Sequence, residues 1–163
     1  MTQNSDLTFY QASHEDIPYL TEKTLALHEF ETQDSHNPLL TSDNFNIEVS
    51  DWLKLELSNP SSLLLIISRN ESPIGFAFIK ILPMQNNFTH YEKFGLIQSI
   101  FIDSGFRNKS YGKEVVSFIE SIFKEQNIPY YEVNFESSNK IAHEFWSKCG
   151  LQPSSITARK FLT

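Results

Sequence analysis

The feature that most constrains the fold is an ordered series of segments between Leu96 and Leu151. An apolar strand, L-I-Q-S-I-F-I-D, leads into a basic turn of small residues, S-G-F-R-N-K-S-Y-G-K. An amphipathic helix follows, E-V-V-S-F-I-E-S-I-F-K-E-Q-N, then a strand and a second helix in Y-Y-E-V-N-F-E-S-S-N-K-I-A-H-E-F-W-S-K-C-G-L. The turn stands directly ahead of a helix N-terminus, where unpaired N–H groups and the positive end of the helix dipole gather. Such a place suits a phosphorylated ligand.

The preceding residues supply the rest of a sheet and its cover. Leu7 to Ala12 alternates as a strand, and Ser13 is placed to cap a helix in which Ile17, Leu20, Thr24, Leu27 and Phe30 keep helical spacing. A polar loop is expected over Asp34–Thr41, and a second helix from Phe45 to Leu57, stopped by Asn59-Pro60. Ser62–Ser68 reads as a central strand, Arg69–Pro73 as a turn, and Ile74–Leu82 as the returning strand of a hairpin. Tyr91–Asp103 is the next strand. Tyr130–Phe135 is another, the helix over Ile141–Lys148 is closed by Gly150, and Ile156–Leu162 can add a last strand. The expected class is therefore α/β (α+β), a mixed, mostly antiparallel sheet flanked by helices in the order β-α-α-β-β-β-α-β-α-β.

A chain of 163 residues with 40% hydrophobic content and 14 Phe can bury a real core, and one domain over residues 1–163 is expected. No apolar run reaches the roughly 20 residues that cross a bilayer, and the start M-T-Q-N-S-D lacks the pattern of a signal peptide. One cysteine, Cys149, and five scattered histidines argue against disulfides and metal ligation. These features point to a cytoplasmic protein with no membrane partner. Net charge of −7 speaks against nucleic acid, and its distribution is uneven. Residues 1–60 hold 2 basic and 11 acidic side chains (2 − 11 = −9), and residues 61–163 hold 11 and 9 (11 − 9 = +2). One cationic and one anionic ligand would suit that split, although acidic helix faces also serve solubility alone.

Two motifs then carry a resemblance that covers nearly the whole chain. Arg107-Asn-Lys-Ser-Tyr-Gly112 follows [R/Q]-x-x-G-x-[G/A], preceded by Ile102-Asp-Ser-Gly-Phe106. Val133, Phe135, Asn139, Ala142, Phe145, Trp146, Gly150 and Leu151 fit a second, longer pattern at the right distance. In these motifs the chain resembles the GCN5-related N-acetyltransferase superfamily. The resemblance implies acetyl-CoA as co-substrate, no metal, and direct attack of a primary amine on the thioester, with a homodimer admitted. It assigns the backbone of Ile100 and Ile102 to the pantetheine arm and thioester oxygen. It assigns Arg107, Asn108, Lys109, Ser110, Tyr111, Gly112 and Lys113 to the pyrophosphate, with Asn139, Phe145 and Trp146 beside the cofactor.

The chain departs from the pattern in two places. Ser110 replaces the first glycine of the loop, at a cost if the position needs positive φ. Trp146 stands where a Tyr commonly protonates the leaving thiolate, and an indole cannot do so. The catalytic candidates are Glu29 and Glu31 near the end of the first helix, Glu132, and Tyr131, each of which also reads as ordinary surface or packing residue. A cationic amine meeting Glu29 and Glu31 is the expected acceptor. The alternative is a catalytically silent acyl-CoA-binding module of the same fold. A dinucleotide-binding reading lacks its glycines after the first strand.

Overall fold

The computed structural model describes residues 6–33 and 42–162, so the polar loop expected over 34–41 lies outside the described residues. Five strands form one sheet in the order β1 (Leu7–Gln11), β2 (Ser62–Arg69), β3 (Ser72–Pro83), β4 (Lys93–Ile102) and β5 (Tyr131–Val133). All neighbours are antiparallel except β4 and β5. Helices α1 (Ile17–Gln33) and α2 (Phe45–Leu57) cover one face, and α3 (Tyr111–Glu125) and α4 (Lys140–Lys148) the other.

Cover on both faces explains why the central strands are apolar throughout. Leu64 and Ile66 of β2 pack into the α1–α2 layer, while Leu65 and Ile67 pack into the α3–α4 layer. Phe76 and Phe78 of β3 likewise oppose Ala77 and Ile79, as the period of two requires. Ser13 accepts from the Glu15 N–H and exchanges bonds with Asp16, starting a 3₁₀ turn that runs into α1. At the end of α3, Asn127 takes φ of 54°, and the Ile128 N–H returns to the Phe123 carbonyl at 2.8 Å. Gly150, at φ of 89°, closes α4 in the same way, with Leu151 N–H donating to the Trp146 carbonyl at 3.0 Å.

The β2–β3 hairpin turns on Asn70 and Glu71, both at positive φ (49° and 63°). A two-residue loop of this kind favours Asn-Gly, because glycine has no Cβ to clash in the left-handed region. Glu71→Gly should therefore raise unfolding free energy by about 0.5–1 kcal/mol in urea titration, the strain relieved exceeding the entropy added to the unfolded chain. A loss of stability would contradict this account of the turn.

One expected element does not form. The residues over 156–162 make no strand, and Ile156 (92%) and Leu162 (89%) stand in solvent. Alternation there states only compatibility with a sheet; without a partner ladder and a covering layer it stabilises nothing. β5 is thus the last strand in chain order among the described residues.

The register between β3 and β4 shifts once. Phe78 faces Ser99 and Ile79 faces Ile97, which leaves Gln98 as a bulge. A single inserted residue bends a strand and flips its side-chain parity. Ile97 consequently packs on the α3–α4 side, whereas Phe101 packs on the α1–α2 side.

Candidate functional site

The bulge separates β4 from β5. Pairing between them is confined to Gly95–Ile97 against Tyr131–Val133, and β4 then continues to Ile102 with β3 as its only paired neighbour among the described residues. The Asp103 N–H donates to the Ile74 carbonyl across β3 at 2.8 Å. Since successive residues of a strand point their N–H groups to opposite sides, those of Ile102 and Ile100 turn away from β3 into the gap. The gap is a cleft of about 250 Å³, walled by β4 from Ile97 to Ile102, by Val133–Phe135, and by Ala142, Phe145 and Trp146 of α4. Its floor is largely apolar, and these backbone donors stand beside the side chains of Gln98, Asn134 and Arg107.

The basic turn lies at one end of this cleft. Asn108 and Ser110 both adopt positive φ (60° and 63°), so the position expected to need glycine does take the left-handed conformation. A non-glycine residue there costs about 1–3 kcal/mol, a strain of the kind found at ligand clamps. Among the described residues, the N–H groups from Asn108 to Gly112 find no backbone acceptor, and the Ser110 hydroxyl makes no capping bond to α3. Lys109 and Lys113 are exposed beside them. Arg107 is held differently: its Nε donates to the Ile102 carbonyl at 2.8 Å, and its guanidinium lies 5.2 Å from the Phe30 ring and 5.4 Å from Phe101. It ties the end of β4 to α1 while lining the cleft. The Tyr111 side chain is buried in the core, so only its backbone is available. A Cβ on Gly112 would come within 2.8 Å of the Phe145 ring, so the glycine is what lets α4 close on the first turn of α3.

A second cavity of about 330 Å³ opens on the other side of β4, between α1 and α2. Thr24, Leu27, His28 and Glu31 line it from α1, and Phe45, Glu48, Val49 and Trp52 from α2. Both sets follow the spacing i, i+3, i+4, i+7, which puts each on one helix face. Ser99 completes the floor. Leu27, Glu31 and Ser99 line both cavities and so mark where they meet.

Of the four catalytic candidates, only Glu31 lines either cavity. Partial burial, and then the Glu136 charge, push its carboxyl above the ordinary range. Glu29 lies two residues away on α1, about 200° around the helix, so the two cannot share a face. Glu132 sits between Tyr131 and Val133 on β5, and Val133 is the one that lines the cleft. The Tyr131 hydroxyl donates to Glu120 at 2.9 Å, and its ring lies 5.6 Å from Phe123. Burial and the Glu120 carboxylate raise its pKa, which makes it a poorer acid. Trp146 is buried and lines the cleft, with Phe145 edge-on at 4.9 Å. Asn139 also lines it, but its side-chain oxygen is taken by the Ala142 N–H at 3.0 Å, capping α4. Sequence reasoning missed Thr24, His28, Phe45, Glu48 and Ser99 as a group; the repeated spacing on the two helices was the signal that would have found them.

Among the described residues no group of His, Cys, Asp or Glu is placed to hold a metal ion. No helix among them is long and apolar enough to cross a membrane.

Comparison with known proteins gives an independent result. The model of the acetyltransferase (GNAT) family matches residues 23–151, and no curated protein matches by sequence. A GCN5-related N-acetyltransferase from Ralstonia eutropha JMP134 superposes with a TM-score of 0.77 at 15% identity, covering 95% of this chain and 98% of its own. A predicted acetyltransferase from Clostridium acetobutylicum, solved with acetyl-CoA, gives 0.72 at 15% identity over 95% and 96%. An aminoglycoside acetyltransferase from an uncultured soil metagenomic sample, solved with sisomicin, gives 0.69 at 13% identity over 98% and 97%.

Proposed function

The chain belongs to the acetyltransferase (GNAT) family, and from that premise we propose that it moves an acetyl group from acetyl-CoA to a primary amine within a ternary complex. The observation that carries this reading is the meeting of the two cavities at Ser99 and Glu31. One cavity offers backbone donors and ends at the basic turn. The other is walled by the acidic α1–α2 pair. A thioester entering from the first and an amine from the second come together at one point, which is what an unassisted displacement mainly requires.

In this reading the N–H groups of residues 108–112 hold the pyrophosphate, and Lys109 and Lys113 add charge. The Ile100 and Ile102 backbone borders the pantetheine arm, and an N–H there stabilises the oxyanion as it forms. Glu31 takes a proton from the ammonium, directly or through one water. The amine nitrogen forms its bond to the acetyl carbon and gives up its second proton to solvent, the carbon–sulfur bond breaks, and the coenzyme leaves as a thiolate that takes a proton from solvent. Among the described residues no Tyr, Cys, Lys or His lines the cleft to supply that proton. A CoA thiolate is stable enough to leave without one.

That missing acid is also the observation favouring a binding-only module. The two readings separate in one assay: incubation with acetyl-CoA and a panel of amines, following thiol release and the mass of the amine. Catalysis predicts equal amounts of CoA thiol and N-acetylated amine. Saturable acetyl-CoA binding with no product from any amine would establish the binding module instead.

A further inference from the structure

The lining of the α1–α2 cavity says more about the acceptor than its net charge does. Resting on the acetyl-transfer reading above, we infer that the acceptor is a primary monoamine carried on a short aromatic or apolar body, of the arylalkylamine class. Four of the lining side chains, Leu27, Phe45, Val49 and Trp52, are apolar or aromatic. The other five, Thr24, His28, Glu31, Glu48 and Ser99, are polar. Glu31 stands at the junction with the cofactor cleft, where its carboxylate can meet an ammonium.

The same lining disfavours other amines. A sugar-based polyamine brings many hydroxyls, and four apolar walls leave them unpaired on desolvation. A free amino acid brings a carboxylate that would face both Glu31 and Glu48. A linear polyamine brings a second ammonium, for which Glu48 is the remaining carboxylate in the cavity. One Glu48 oxygen already accepts the Ser42 hydroxyl at 2.5 Å, so a second ammonium would have only the other oxygen, beside four apolar walls. A cavity of about 330 Å³ lies at the small end of ligand sites and suits a compact body.

The two tryptophans make the inference testable, because Trp52 lines this cavity and Trp146 the cofactor cleft. In Trp146→Phe, Trp52 is the sole indole, and titration with 2-phenylethylamine in the presence of CoA should give a saturable emission change. The same titration of Trp52→Phe, which retains only Trp146, should give little. With the unmodified chain, kcat/KM for 2-phenylethylamine should exceed that for spermidine, phenylalanine and an aminoglycoside by about ten-fold or more. Trp52→Ala should raise KM for 2-phenylethylamine more than it lowers kcat. Thiol release that is fastest with spermidine or the aminoglycoside overturns the inference and leaves acetyl transfer standing. Release with no amine at all overturns the transfer reading, and the inference with it.

Discussion

Glu31→Gln should lower kcat/KM for the amine by about 100-fold at neutral pH, the usual scale for loss of a general base. Acetyl-CoA affinity should stay within about two-fold, since Gln keeps the shape of the wall and the backbone donors of the basic turn are untouched. The pH profile carries the sharper signature. Burial and the Glu136 charge raise the Glu31 carboxyl. Its basic form is therefore lost as pH falls through that raised value, and the acid limb of kcat/KM lies above the range of an ordinary carboxylate. Glu136→Gln removes one of the two causes, so its limb should move to lower pH while the limb of Glu31→Gln should disappear. An unchanged rate in Glu31→Gln would show that solvent deprotonates the amine and that Glu31 is only part of the wall.

Lys80→Met should cost about 3 kcal/mol of stability, because it strands a carboxylate that is 8% exposed. Lys80 donates to Glu56 at 2.8 Å, and the Ser62 and Asn59 side chains donate to its other oxygen. Burial acts to raise the Glu56 carboxyl, but the Lys80 and Ser62 hydrogen bonds, the Lys80 charge and Asn59 together hold it below its ordinary value. A depressed carboxylate stabilises the fold above its unfolded pKa, and that contribution fades as pH falls through the folded value. The variant should thus lose most stability near neutrality and differ less from the parent in acid. Replacing both partners, Glu56→Leu with Lys80→Met, should recover most of the loss, as apolar isosteres do for such pairs. Because this network anchors the C-terminal end of α2 to β2 and β3, the single variant should also loosen the Trp52 wall and raise KM for the amine. Equal urea midpoints for Lys80→Met and the parent would contradict the role given to the pair.

Local signals in the sequence were enough to place most of this architecture. The limits of α2, the capping by Ser13 of the 3₁₀ turn that leads into α1, the glycine that ends α4 and the turn before α3 each follow from a few adjacent residues. The left-handed conformation at Ser110 was legible too, from the motif that expects glycine there. What escaped depends on pairing between distant segments. The Gln98 bulge opens the cleft, and nothing in L-I-Q-S-I-F-I announces it, since a bulge exists only relative to the partner strand. Glu29 and Glu31 looked equivalent in sequence, and only the face that α1 turns to α2 separates them. Arg107 was expected at the pyrophosphate; that Phe30, Phe101 and the Ile102 carbonyl also engage it could not be read from neighbouring residues. The absent strand over 156–162 shows the same limit, for alternation cannot say whether a free edge and a covering layer await it.

The central claim is that thioester and amine are held together at the junction of the two cavities, and initial rates with both substrates varied test it most directly. With the best amine from the panel, double-reciprocal plots at several fixed acetyl-CoA concentrations should intersect, as sequential binding in one ternary complex requires. Each CoA thiol released should match one N-acetylated amine. Parallel lines, with thiol released by the protein before any amine is added, would mean that the acetyl group passes through a covalent enzyme intermediate and that the meeting point at Ser99 and Glu31 is not where transfer occurs.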